Sequence, residues 1–152
     1  MNHIAHSGSF ELDDCPDKAL YLFTAPGEVI WVPGWEPNIM SGDGFEAGTV
    51  FTTGHGDEET IWVVVDFDTE NFRARYARIT PGSRAGTVEV NLHRNAAGGS
   101  TVTVAYELTA LSESGRENLA GMDSDAYANM LIEWKSLVEA AEINYESLVP
   151  GD

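Results

Sequence analysis

The chain has 152 residues, 43% of them hydrophobic, which suits one domain with one sizeable core and excludes a disordered, collagen-like or coiled-coil chain. Eight basic residues against 25 acidic ones leave a formal charge of −17, which repels nucleic-acid phosphates and anionic lipid surfaces. Neither nucleic-acid binding nor membrane insertion is expected, and the purest apolar run, Ile61 to Val65, falls far short of the ~20 residues that cross a bilayer.

The single cysteine, Cys15, allows no intrachain disulfide and no Cys-based zinc site, which suits a cytoplasmic protein. The opening Met-Asn-His-Ile-Ala-His has neither the basic nor the apolar region of a signal peptide. Residues 1–8 are read as a flexible segment, followed by a short strand at Ser9–Leu12. Asp13, Asp14 and Pro16 then read as a helix start: acidic groups face the positive end of the dipole, and Pro stands where no N–H is needed. A helical stretch from Lys18 to Thr24 carries Leu20, Leu22 and Phe23 and ends at Pro26-Gly27. A second, irregular helical piece spans about Glu28 to Trp31. Pro33-Gly34-Trp35-Glu36-Pro37 and Ser41-Gly42-Asp43-Gly44 read as turns.

From Thr49 to Ala110 the pattern is β throughout. The expected strands are Thr49–Thr53, Thr60–Asp66, Asn71–Ile79, Thr87–Arg94 and Thr101–Ala110, rich in Val, Thr, Ile and aromatic residues. Their short Gly-, Asp- and Pro-containing separators imply an antiparallel meander. Val88, Val90 and Leu92, like Val102, Val104, Tyr106 and Leu108, alternate with polar residues, so one sheet face is buried and the other wet. The chain closes with a long helix, capped around Asp123–Asp125 and running to about Tyr145. Its buried face is expected to carry Met122, Tyr127, Met130, Leu131, Trp134, Leu137 and Val138. Strands segregated from helices make the fold class α+β.

Local residues add a resemblance to this pattern. Trp31-Val32-Pro33-Gly34-Trp35-Glu36-Pro37, Thr60-Ile61-Trp62-Val63-Val64, Arg78-Ile79-Thr80-Pro81-Gly82, Val104 to Ser112 and Ile132-Glu133-Trp134 resemble bacterial members of the START-like (SRPBCC) superfamily. The resemblance spans residues 9–146, read as a single START-like domain followed by a tail, 147–152. It implies a helix-grip fold: a curved antiparallel sheet wrapped around the long C-terminal helix, with two short helices after the first strand. It also implies a cavity between helix and sheet holding a small hydrophobic or amphipathic molecule. The candidate ligand-binding residues are Trp31, Trp35, Trp62, Tyr76, Arg78, Tyr106, Tyr127, Met130 and Trp134.

Each candidate also has a plain reading. The aromatic residues fill a core equally well, and Arg78 can pair with one of the many carboxylates. Strand alternation sets Arg78 on the side of Tyr76 and sets Arg73 and Arg75 on the opposite, solvated side. His93, read as the only strand histidine, falls on the wet face. His55 with Asp57, Glu58 and Glu59 reads as a solvated hairpin tip, so no metal and no cofactor are expected. Nucleophile motifs are absent, with no G-x-S-x-G, no phosphate-binding loop and no H-E-x-x-H. Two functions from different classes remain: a cytoplasmic carrier or sensor of an amphipathic molecule, and an enzyme resembling polyketide cyclases. An interaction module resembling Hsp90 activators survives on fold alone, and a homodimer is left open. Two or more titratable side chains lining the cavity would favour the enzyme.

Overall fold

Short polar turns between β-forming runs leave each strand one neighbour within reach, the next in the chain. In the computed structural model, which describes residues 2–150, this gives a meander of β3 (Val50–His55), β4 (Glu58–Asp68), β5 (Arg73–Thr80), β6 (Arg84–Arg94) and β7 (Ser100–Ala110). Two further strands, β1 (His3–Leu12) and β2 (Asn38–Ser41), close the edges of a seven-stranded antiparallel sheet in the order β1-β7-β6-β5-β4-β3-β2. Between β1 and β2 lie α1 (Pro16–Ala19), a 3₁₀ turn at Leu20–Phe23 and α2 (Ala25–Trp31). After β7 come α3 (Glu113–Ala120), the long α4 (Ser124–Ala140) and the single-turn α5 (Tyr145–Leu148).

Several boundaries differ from the expectation. The first strand begins at His3, because β1 pairs with β7 from His3↔Thr109 to Leu12↔Ser100 and buries Ile4. Met1 lies outside the described residues. Asp13 and Asp14 do not cap α1; its N-cap is Cys15, with Pro16 opening the helix. Strand β2 was not anticipated, only its last residue, Ser41, being read as turn, and neither was α3. The last helix ends at Ala140, and Met122 precedes it rather than sharing its face. In the expected tail, Leu148 is buried; Gly151 and Asp152 lie outside the described residues. Phe72 belongs to the turn before β5, since its φ of 57° is left-handed. His93 is not the only strand histidine: His3 and His6 lie in β1, and His55 ends β3.

The inner face of the sheet and the helices share one core. Val64, Ala74, Tyr76, Val88, Val90, Leu92, Val102, Val104, Tyr106 and Leu108 point inward and meet Leu22, Phe23, Trp31, Leu131 and Val138. A bulge in β4 between Val64 and Asp66 sends Val65 to solvent and keeps both Val64 and Phe67 on the inner side. No helix among the described residues is long and apolar enough to cross a membrane.

Candidate ligand cavity

Helix α2 starts with tight local chemistry. The Thr24 hydroxyl accepts from the Gly27 N–H at 3.0 Å, capping the helix, and donates to the Tyr21 carbonyl at 2.6 Å. Gly27 is pressed so close to the preceding turn that a Cβ there would sit 1.8 Å from the Tyr21 oxygen. This contact fixes the rotation of α2 about its axis. Val29 consequently faces solvent, 55% exposed, while Glu28 is turned inward.

Glu28 enters a cavity of ≈ 330 Å³ between α2, the sheet and α4. Its walls include Trp35 from the loop after α2, Trp62 on β4, Arg78 on β5, Tyr106 on β7, and Met130 and Trp134 on α4. A smaller hollow of ≈ 20 Å³, about one water in size, shares Glu28, Trp62, Tyr106 and Trp134 with it and is closed by Phe23, Phe51 and Tyr76. The aromatic walls brace one another. Trp62 lies flat on Phe51, with ring centres 5.8 Å apart and planes at 2°, and Trp134 meets Trp31 edge-on at 5.5 Å.

Most polar atoms of these aromatic residues are committed. The Trp35 indole donates to the Ala25 carbonyl at 2.9 Å, Trp62 to the Thr53 hydroxyl at 2.9 Å, and the Tyr76 hydroxyl to the Phe23 carbonyl at 2.6 Å. Arg78 is different. Its guanidinium lies over the Trp62 ring, 4.9 Å from the centre, and its Nε is buried without a hydrogen-bond partner among the described residues. The sequence placed Arg78 on the side of Tyr76, and it lies there. Among the described residues it is not in an ion pair with a carboxylate; the buried-rim pair is Arg84–Glu58 at 3.1 Å. Arg73 is not simply solvated, since it grips Asp66 at 2.9 Å, whereas Arg75 is exposed.

Burial dominates the electrostatics. It pushes the Glu28 carboxyl up to about 8, against the pull of the Arg78 charge. The Tyr106 hydroxyl is likewise raised by burial to about 12, with Arg78 again opposing. Burial first, and then the nearby Glu28 charge, lift Tyr76 well above the ordinary phenol range. Near neutral pH the cavity therefore holds a neutral acid, two neutral phenols and one guanidinium cation.

Seven of the nine sequence candidates meet here: Trp35, Trp62, Tyr76, Arg78, Tyr106, Met130 and Trp134. Two do not. Trp31 is buried in the core and donates its indole N–H to the Leu22 carbonyl at 2.7 Å. Tyr127 gives its hydroxyl to the Val104 carbonyl and lines a separate groove of ≈ 480 Å³ between β1 and α4. His6, expected in a mobile end, donates from Nε2 to the Met122 carbonyl at 2.7 Å, and its ring packs 5.2 Å from that of Tyr127. Glu28 was missed as a site residue. Its signal was a lone charge in Ala25-Pro26-Gly27-Glu28-Val29-Ile30-Trp31, three residues before a buried tryptophan. Among the described residues no group of three His, Cys, Asp or Glu side chains gathers as metal ligands would.

The sequence matches no protein-family model and no curated protein sequence. Solved structures do match. Major latex-like protein 151 from Panax ginseng is 15% identical with a TM-score of 0.69, over 99% of this chain and 100% of that one. Norcoclaurine synthase from Thalictrum flavum, in complex with dopamine and hydroxybenzaldehyde, is 13% identical with a TM-score of 0.65, over 93% and 90%. DynU16, from the dynemicin biosynthetic locus, is 14% identical with a TM-score of 0.62, over 90% of this chain and 47% of that one. Identities this low carry the fold and leave the chemistry to the residues of each chain. The chain has the helix-grip fold, a seven-stranded antiparallel sheet against a long C-terminal helix, that the resemblance implied.

Proposed function

We propose that the chain binds a small amphipathic molecule in this cavity, with an anionic group on Arg78 and an apolar body among Trp35, Trp62, Met130 and Trp134. The observation that carries the reading is the buried Arg78 Nε without a partner. An unsatisfied donor on a desolvated cation is costly, and an anion on the guanidinium removes that cost while making charge-assisted hydrogen bonds. The cavity of ≈ 330 Å³ lies at the small end of the ~300–1,000 Å³ of ordinary ligand sites, so a compact ligand fits. Three of its walls are tryptophan, which makes intrinsic fluorescence a direct reporter.

The test is a screen of aromatic and medium-chain carboxylic acids against their neutral amides, by thermal shift and tryptophan fluorescence. Acids are expected to bind more tightly than amides. Arg78→Ala should weaken acid binding at least about tenfold, as loss of a charged hydrogen-bonding partner does, and Arg75→Ala should leave it unchanged. Equal effects of the two substitutions would sink the reading.

One observation favours a second reading on the same cavity, a cyclase-like enzyme: two titratable groups, Glu28 and Tyr106, line it beside Arg78. In that case the ionised fraction of Glu28, which grows toward pH 8, takes the proton from the carbon α to a carbonyl and returns it as the acid, while Arg78 stabilises the intervening enolate oxygen. Deuterium exchange α to the carbonyl of small cyclic ketones, followed by proton NMR, decides it: the wild type must exceed Glu28→Gln.

A further inference from the structure

An anion seated on Arg78 also approaches Glu28. The two side chains line one cavity, Glu28 from α2 and Arg78 from β5, and they are not among the ion pairs of the described residues. The charged and titratable groups around Glu28 are few. Arg78 from β5, Tyr106 from β7, His55 on β3, Glu58 on β4 and Arg84 on β6 line the same cavity as Glu28, and Tyr76 from β5 lines the adjoining hollow. Helix α4 contributes Met130 and Trp134, neither of which titrates. Arg84 and Glu58 hold one another, and the Tyr76 hydroxyl is committed to Phe23. Among the described residues, the unpaired guanidinium in the cavity with Glu28 is therefore that of Arg78.

A carboxylate at Glu28, half-buried in the cavity wall, repels an incoming anion, whereas a carboxylic acid donates a hydrogen bond to it. We infer that Glu28 is a second recognition residue of the cavity, acting as a neutral acid, so that a carboxylate- or sulfonate-bearing amphiphile enters together with one proton. This rests on the anion reading of Arg78 above. Charge counting agrees: anion, guanidinium and neutral acid sum to zero, whereas an ionised Glu28 would leave a net negative charge in a low-dielectric pocket. Burial supplies the protonation, holding the Glu28 carboxyl near 8 despite the neighbouring cation.

The probe is anilinonaphthalene sulfonate, ionised at every relevant pH, with uncharged phenylnaphthylamine as its neutral counterpart. With the carboxyl titrating near 8, obligatory protonation lowers sulfonate affinity about tenfold between pH 7 and pH 9. Glu28→Gln, which keeps a donor and cannot ionise, should bind the sulfonate at pH 7 within about twofold of wild type and show no fall at pH 9. Calorimetry near pH 8 in two buffers of different ionisation heat should register uptake of about half a proton per wild-type complex, and none for Glu28→Gln. Phenylnaphthylamine should bind both proteins alike at pH 7, which certifies an intact cavity. A pH-independent wild-type affinity, or a Glu28→Gln variant that keeps the fall, overturns the proton coupling while leaving the Arg78 site standing. Sulfonate binding that is indifferent to Arg78→Ala overturns both.

Discussion

Glu28 and Arg78 show how a single side chain can be held where it weakens the fold. In the unfolded chain the carboxyl titrates at its ordinary 4.5; in the folded protein burial raises it to about 8. Below the lower value both states are protonated and the residue is neutral to stability. Between the two, the folded state retains a proton that the unfolded state has released, so stability falls as pH rises. Above about 8 the full cost persists. Glu28→Gln removes a cost on the order of 3 kcal/mol, allowing for cavity water near the carboxyl. The variant and wild type should melt together near pH 4, and the variant should melt roughly 5–10 °C higher at pH 8. A gap that stays constant across this range would show that the carboxyl is not desolvated. A carboxyl that lowers stability from a cavity wall points to a working site rather than to packing.

At the scale of an element, the placement of Glu28 depends on Gly27. Since a Cβ at that position meets the Tyr21 oxygen at 1.8 Å, Gly27→Ala must push α2 away from the 3₁₀ turn or rotate it. Either movement swings Glu28 and Trp31 from their positions, so a loss of roughly 2–4 kcal/mol is expected in denaturant melts, together with loss of sulfonate binding. Gly98→Ala is the control for backbone conformation, because its φ of 86° is left-handed but a Cβ there meets nothing within 4 Å and it lies outside the cavity lining; it should cost about 1 kcal/mol and spare binding. The same element explains what could be read in advance. Strands with strict alternation, such as Thr101–Ala110, and the three-and-four spacing of Tyr127, Leu131, Trp134 and Val138 declare their buried faces directly. Helix α2 has only seven residues, too few for its periodicity to declare a face, and its orientation is set by a tertiary contact at Gly27. That is why Arg78 was found on its strand and Glu28 was not found on its helix. Strands β1 and β2 were under-read for a related reason: each gains its structure from pairing with a distant partner, β7 or β3, and not from its own composition.

Across the whole molecule, a charge of −17 surrounds a cavity whose recognition group is a cation. A folded chain of this length has a radius of gyration of ~15 Å. The Debye length is ~30 Å at ~0.01 M salt and ~8 Å at ~0.15 M, so the repulsive field spans the molecule in the first case and is cut inside it in the second. The compact state concentrates the 25 acidic groups more than the unfolded chain does, so added salt should favour folding. The competing effect is loss of surface ion pairs, of which Arg94–Asp17 and Lys135–Glu139 are exposed and contribute at most ~1 kcal/mol each. Self-repulsion wins in that comparison, and Tm at pH 7 should rise between ~0.01 and ~0.15 M sodium chloride. Association should respond in the same direction. The on-rate of an anionic probe is expected to increase with salt, opposite to the usual behaviour of electrostatically steered pairs, while that of phenylnaphthylamine stays flat. Its off-rate, set by contact with Arg78 inside the cavity, should change far less, because buried pairs are weakly screened. Stopped-flow fluorescence separates the two rates. An on-rate for the sulfonate that falls as salt is added would mean that the approach path is locally positive, and that the field at the cavity mouth is set by Arg78 and Arg84 and not by the acidic surface around them.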